Sequence, residues 1–180
     1  MKSSKIKKLL LDTFGHLNDK QLLALTIYGE ARGERPIGQI AVGSVILERV
    51  DHRDWDGKTI QEVCLMPYQF SCYLPEDPNF PKLKAIAENW DAAIDQTSSL
   101  HHCYRIAAGL LDGVIPRDMV IAKFNATQYV TAAYRSMMDR KADELRDAES
   151  PMGKLAIFDK KRWWIRMRKV TTIGAHEFYA

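Results

Sequence analysis

Between Gln21 and Ile46 the chain specifies two helices joined by a corner too short to wander. Asn18 or Asp19 can cap the first helix, which runs through Gln21-Leu22-Leu23-Ala24-Leu25-Thr26-Ile27-Tyr28-Gly29-Glu30-Ala31. Gly33 and Pro36 end it, because neither is comfortable inside a helix. Pro36 suits the first position of the next helix, where its missing N–H is not needed. There Ile37, Ile40, Ala41, Ser44, Val45 and Ile46 form a face with the 3.6-residue period, and its small members permit close packing.

The signals that follow are also mostly helical. Thr59-Ile60-Gln61-Glu62 is a capping box for a short helix that Pro67 stops. Tyr68 to Pro81 is rich in proline and reads as loop, with Pro81 opening a further helix in which Leu83, Ile86, Ala87, Trp90 and Ile94 keep the period. Another helix is expected from Ser99 to Asp112, with Gly113 as its C-terminal signal. Thr131 to Glu149, rich in alanine and charge, also looks helical. From Arg162 the period changes to two, with Trp163, Ile165 and Met167 on one side and Trp164, Arg166 and Arg168 on the other. The expected class is mainly α (α+β), with a small C-terminal β element.

The length of 180 residues suits one domain, and no linker, repeat or low-complexity tract divides it. Lys+Arg 26 against Asp+Glu 23 leaves a net charge of +3, too small an excess for a dedicated nucleic-acid binder. No apolar run approaches the ~20 residues of a membrane span. Residues 1–17 read as a basic N-terminal extension carrying Lys2, Lys5, Lys7 and Lys8, a frayed tail or an aid to envelope binding. Its few leucines fall short of a secretory h-region, so synthesis in the cytoplasm without a signal peptide is expected. Cys64, Cys72 and Cys103 are odd in number, which argues for reduced, buried thiols over a disulfide framework, although a Cys64–Cys72 bridge is open.

Glu30 is the residue whose setting is unusual. It stands between Gly29 and Gly33, each of which weakens a helix by about 1 kcal/mol relative to Ala. Flanking glycines suggest that something approaches the backbone closely. Ile27 and Tyr28 would partly desolvate the Glu30 carboxyl, a setting that suits a general acid near neutral pH. On a continued helix Glu34 would share its face, and like charges there repel. The plainer alternative is a solvated Glu pair with Arg32 and Arg35 as counter-ions.

With these residues in view, the chain resembles the SleB-like cell wall hydrolases. Leu25-Thr26-Ile27-Tyr28-Gly29-Glu30-Ala31-Arg32-Gly33-Glu34 and Gly38-Gln39-Ile40-Ala41-Val42-Gly43-Ser44-Val45-Ile46-Leu47-Glu48-Arg49-Val50 match its pattern. So do Thr59-Ile60-Gln61-Glu62-Val63-Cys64, Gln69-Phe70-Ser71-Cys72, Ala126-Thr127-Gln128-Tyr129-Val130 and Thr172-Ile173-Gly174-Ala175-His176-Glu177-Phe178-Tyr179, in family order along most of the chain. Two departures stand out: residues 132–161 look like an insertion, and Gln128 stands where the family often has His.

The resemblance implies a single lysozyme-like domain over residues 1–180, with Glu30 catalytic at a helix end facing a glycan groove. It implies a lytic transglycosylase or muramidase cutting peptidoglycan between N-acetylmuramic acid and N-acetylglucosamine. Glu34, Gln69, Phe70, Ser71, Thr127, Tyr129 and His176 are then the substrate-binding candidates; Phe70 could stack on a sugar face but reads more naturally as core, and His176 could orient a catalytic group. A muramidase would want a second carboxylate: Glu34 first, then Asp51, Asp54 or Asp56. No cofactor and no metal are expected, because His101, His102 and Cys103 lack ligand spacing. Lys160 to Lys169 holds six basic residues and two tryptophans, suggesting electrostatic contact with an anionic envelope. The setting expected is bacterial cell lysis, an endolysin released to the wall through a holin. The rivals are a non-catalytic glycan binder and a basic envelope- or nucleic-acid-binding module.

Overall fold

The computed structural model describes residues 3–52, 57–118, 128–131, 135–140 and 168–179. The helices are α1 (Ser3–Phe14), α2 (Asp19–Ala31), α3 (Pro36–Asp51), α4 (Ile60–Cys64), α5 (Phe80–Glu88), α6 (Trp90–Gln96) and α7 (Ser98–Leu111). Ser71–Tyr73 forms a single 3-10 turn, and the strands are β1 (Gln128–Thr131), β2 (Lys169–Ile173) and β3 (His176–Tyr179). The fold is mainly α with a small C-terminal sheet, as the sequence leads one to expect.

Helix α2 is the axis. Asn18 caps it in a reciprocal pair with Gln21, and every residue from Leu22 to Tyr28 is buried. A helix apolar all round must be enclosed, and α2 is: it packs against α7 above all, and also against α3, α4 and the 3-10 turn. The corner after it is pinned by a residue the periodicity does not mark. The buried Gln39 amide donates to the carbonyls of Ala31 and Glu34, at 3.2 and 3.1 Å. Carbonyls at the end of a helix have no partner within it, so this side chain, together with the Glu34 N–H on the Ala31 carbonyl at 2.9 Å, holds the corner between α2 and α3.

The sheet runs β1-β3-β2, with β3 antiparallel to both neighbours. Gly174, at φ +58, makes the turn from β2 to β3, a backbone that a Cβ would strain. Phe178 of β3 packs on Ala41 and Val45 of α3, joined by Tyr129, Val170 and Ile173, and this small apolar cluster seats the sheet beside the corner.

Three expectations change. Residues 3–14 of the basic extension are helix α1, because Ile6, Leu10 and Phe14 recur every four residues and reach the core at 1%, 1% and 0% exposure while Lys5, Lys7 and Lys8 stay in water. The helix expected across Leu83–Ile94 divides into α5 and α6 at Asn89, whose φ −136, ψ 52 is not helical. Thr131 closes β1 instead of opening a helix; residues 135–140 are helical, and the rest of the 132–161 insertion lies outside the described residues.

If α1 is part of the core, Leu10→Ala will lower unfolding free energy by roughly 2–5 kcal/mol in urea or guanidinium titrations. A change below about 0.5 kcal/mol would return residues 3–14 to the status of a dispensable tail.

Candidate active site

Glu30 sits in the last turn of α2, and two elements converge on its carboxyl. The first depends on Gly29. A Cβ there would lie 2.6 Å from Cys72 Sγ and 2.9 Å from Cys72 Cβ, so the 3-10 turn can rest on α2 only because residue 29 has no side chain. With the turn so placed, the Cys72 backbone N–H donates to Glu30 Oε1 at 3.4 Å. Tyr68, at φ 66, bends the chain into this turn, a left-handed backbone that costs a non-glycine residue roughly 1–2 kcal/mol. From the sheet side, the Tyr129 hydroxyl of β1 donates to Glu30 Oε2 at 3.2 Å. Burial and the nearby carboxylate both push the Tyr129 phenol well above its ordinary range, so it keeps its proton and remains a donor.

Behind this pair lies Arg49 of α3, only 2% exposed. Its guanidinium stands over the rings of Phe70 and Tyr129, 5.2 and 5.9 Å from their centroids. With the Gln69 amide oriented to face it, the Gln69 oxygen accepts from Arg49 Nη1 at 3.0 Å and Nη2 at 3.3 Å. Burial lowers the Arg49 pKa to about 10, against the favourable fields of Tyr129, Cys64 and Glu30, so it is cationic at neutral pH.

The second carboxylate is arranged differently. Glu34 Oε2 accepts from the Ala175 N–H at 3.3 Å, and the Glu34 carboxyl packs on Gly174 at the tip of the β2–β3 turn. Its other oxygen lies 3.9 Å from His176 Nδ1. His176 is 4% exposed, its ring edge-on to Tyr129 at 5.3 Å. Burial lowers its pKa below the ordinary 6.5, with the Glu34 and Glu30 carboxylates pulling the other way, so the imidazole is neutral at pH 7.

These groups surround an open cleft of about 350 Å³, lined by Gly29, Glu30, Gly33, Glu34, Asn79 and His176 among others. Gly33 meets no other group, so it leaves the floor bare. Arg32 arches along the rim, held by Asn79 Oδ1 at 2.7 Å and lying over the Tyr28 ring. A larger hollow of about 410 Å³ between α1 and α4 contains one carboxylate, Glu62. That carboxylate is engaged in accepting the Lys58 N–H at 2.7 Å. Chemistry, not size, marks the smaller cleft as the site.

The structure therefore brings Glu30, Glu34, Tyr129 and His176 together, with Gln69 one layer back on Arg49. Phe70 does not face the cleft: at 2% exposure beneath the guanidinium it has no face to offer a sugar. Ser71 is exposed on the 3-10 turn, and Thr127 lies outside the described residues. Asp51 is engaged by Arg117 at 2.7 Å, away from the cleft, and Asp54 and Asp56 are outside the described residues. So are 160–167 of the basic segment, while Lys169 bonds Glu177 at 2.6 Å. The three cysteines are free and buried, and burial holds each thiol well above its ordinary range, Cys64 and Cys103 at about 12. None is a thiolate nucleophile. Sequence reasoning missed Arg49, Gln39 and the role of Cys72 as a backbone donor.

The cleft thus presents two glutamates, Glu30 held by the Cys72 N–H and the Tyr129 hydroxyl and Glu34 held by the β2–β3 turn. The chain belongs to the cell wall hydrolase family, whose description, Cell Wall Hydrolase, matches residues 33–179. Glu30 stands just before the matched range. Among curated proteins the chain is similar to the spore cortex-lytic enzyme of Bacillus cereus, 39% identical over 83 residues, covering 41% of this chain and 31% of that protein. It is also similar to the spore cortex-lytic enzyme of Halalkalibacterium halodurans, 59% identical over 34 residues, 19% of this chain and 10% of that one. The chain thus spans about a third or less of these relatives' length. No solved structure matches it.

Gly29→Ala is expected to cost about 1–3 kcal/mol of stability through the forced separation of α2 from the turn. It will also draw the Cys72 N–H away from Glu30 Oε1, the contact that the absent Cβ permits. Unfolding titrations will measure the stability cost. For His176 the sign is set by burial: the unfolded chain takes up this proton near pH 6.5, the folded one only at lower pH. Stability from this group is complete above that window and falls as pH drops through it. His176→Gln should flatten the slope of unfolding free energy against pH there; an unchanged slope would refute the assignment.

Proposed function

We propose that this protein cleaves the glycan strand of peptidoglycan between N-acetylmuramic acid and N-acetylglucosamine as a lytic transglycosylase, with Glu30 as general acid and then general base. The observation that carries this is the unequal use of the two carboxylates lining the cleft. Glu30 is held by neutral donors, Cys72 N–H and Tyr129 O–H, with its carboxyl facing the opening. Glu34 is engaged by the β2–β3 turn.

In the proposed step the Glu30 carboxyl gives its proton to the glycosidic oxygen, and the bond from that oxygen to the muramic C1 breaks. The Glu30 carboxylate then takes the proton from the muramic 6-hydroxyl, whose oxygen closes on C1. Proton and charge balance without water, the products being a 1,6-anhydro-muramic end and a free 4-hydroxyl. One carboxylate suffices. The Tyr129 and Cys72 donors fix the orientation of the Glu30 oxygens through both transfers. His176, neutral and at the cleft wall, and Ser71, exposed on the turn, are the candidates for hydrogen bonds to the sugar acetamido and hydroxyl groups.

A second reading rests on Glu34 lining the same cleft. As a muramidase the enzyme would use Glu34 as its second carboxylate, and its products would carry reducing muramic ends. The hold of Ala175 and Gly174 on Glu34 favours the first reading, because a carboxylate that anchors a turn is poorly placed to move onto a sugar or a water.

Digestion of purified sacculi, with the new glycan ends identified by mass spectrometry, decides between them. Wild type is expected to yield anhydro-muramic ends, and Glu30→Gln to lower the rate by about 10²–10⁴-fold. Near-wild-type activity in Glu30→Gln would remove Glu30 from the mechanism. Reducing ends, lost in Glu34→Gln, would establish the muramidase.

A further inference from the structure

We propose that Arg49 is the positioning residue of the site: a buried cation that holds Tyr129 against Glu30 and sustains the negative charge Glu30 acquires once it has given up its proton. The inference rests on the reading of Glu30 as the acid. It concerns a residue on α3 that does not line the cleft.

Four observations converge. Among the described residues Arg49 is the one buried arginine or lysine, and desolvating a cation is costly unless its surroundings compensate. The surroundings here are built for it. Two aromatic rings face the guanidinium at 5.2 and 5.9 Å, a cation–π arrangement that is stronger away from water. The Gln69 oxygen bridges both terminal nitrogens. One of the two rings is Tyr129, whose hydroxyl is on Glu30 Oε2 at 3.2 Å. Arg49 and Glu30 are thus joined through a single aromatic side chain, and their charges act on each other in a setting poor in water.

The chemical consequence follows from the cycle. In the proposed cycle Glu30 gives up a proton as the glycosidic bond breaks and regains one when the ring closes. Interactions stronger with the anion than with the acid accelerate the first step. Glu30 lies at the carbonyl end of α2, where the helix itself offers an anion nothing. Cys72 N–H and Tyr129 O–H supply two fixed dipoles, and Arg49 the full charge behind them. An arginine serves here better than a lysine, because only a planar guanidinium can lie on two rings and meet one amide oxygen with two donors.

The test uses the complete chain on purified sacculi, with release of anhydro-muramic ends as the rate. Arg49→Met keeps the volume between Phe70 and Tyr129 and removes the charge; Arg49→Lys keeps the charge and loses the fit. Arg49→Met is expected to remain folded, to bind glycan with KM within about threefold, and to lose roughly 10–100-fold in kcat. That is less than the loss of a donor touching the reacting atoms. Arg49→Lys should recover part of that kcat. A folded Arg49→Met with kcat within twofold of wild type would overturn the proposal, as would equal kcat losses in the Met and Lys variants accompanied by equal losses of melting temperature. Should Arg49→Met fail to fold, Arg49→Lys combined with Tyr129→Phe decides: losses that fall short of additive support the linkage through Tyr129, and additive losses overturn it. A wild type that releases no glycan ends would overturn the reading of Glu30, and the proposal with it, a result distinct from any of these.

Discussion

The close approach of the Cys72 turn to α2 is the constraint on which the site depends. Helix α2 would be equally helical with alanine at position 29, and more so. Glycine is needed because the turn occupies the space where a Cβ would stand. That contact places the Cys72 N–H on Glu30 Oε1 and carries Phe70 under Arg49. It also brings Tyr73 to Thr26 of α2, where the two hydroxyls lie 2.9 Å apart in the core. A helix-weakening residue inside the most buried helix is a local cost that the global arrangement requires, and such conflicts concentrate at functional sites.

The sheet completes what the helices begin. Phe178 on Ala41 and Val45 gives it an apolar seat, and Glu34 on the β2–β3 turn fixes its tip. Gly174 matters doubly, since it takes φ +58 and leaves room for the Glu34 carboxyl. Once the sheet is docked, Tyr129 of β1 and His176 of β3 are adjacent and both face the corner between α2 and α3. The two glutamates of one short segment therefore part company. Both line the cleft, but Glu34 also anchors the β2–β3 turn, whereas Glu30 is held by the Cys72 N–H and the Tyr129 hydroxyl.

Much of this was legible in the chain itself. The α2–α3 corner, Pro36 as a helix opener and Thr59 as a cap are local events governed by nearest neighbours, and they stand where the sequence puts them. The glycines around Glu30 rightly implied a close approach, but no sequence rule says what approaches. Gly29 meets Cys72, forty-three positions away, whereas Gly33 meets open space. Arg49 was hidden for a related reason. An arginine near the end of a helix reads as a solvated cation, and only the fold reveals two rings and an amide from distant segments closed around it. Phe70 shows the converse: beside Ser71 in a loop-like stretch it reads as core or as a sugar platform, and the fold makes it core, the floor under that cation. Helix α1 is hard to read from sequence because its five apolar residues, of which only Ile6, Leu10 and Phe14 are buried, stand among lysines and are a weak signal until a core is there to receive them.

The charges of the site are sorted by depth. Arg49 lies behind Glu30, out of water; Arg32 lies at the rim, exposed and tied to Asn79. Fields between exposed charges are screened within about 10 Å at ordinary ionic strength, and buried ones much less. The field of Arg32 reaches into solvent, and salt will blunt it. Arg49 acts on one carboxylate through one ring, and salt will scarcely touch it. The two arginines thus differ in their response to salt, because the fold has put them on opposite sides of its water boundary.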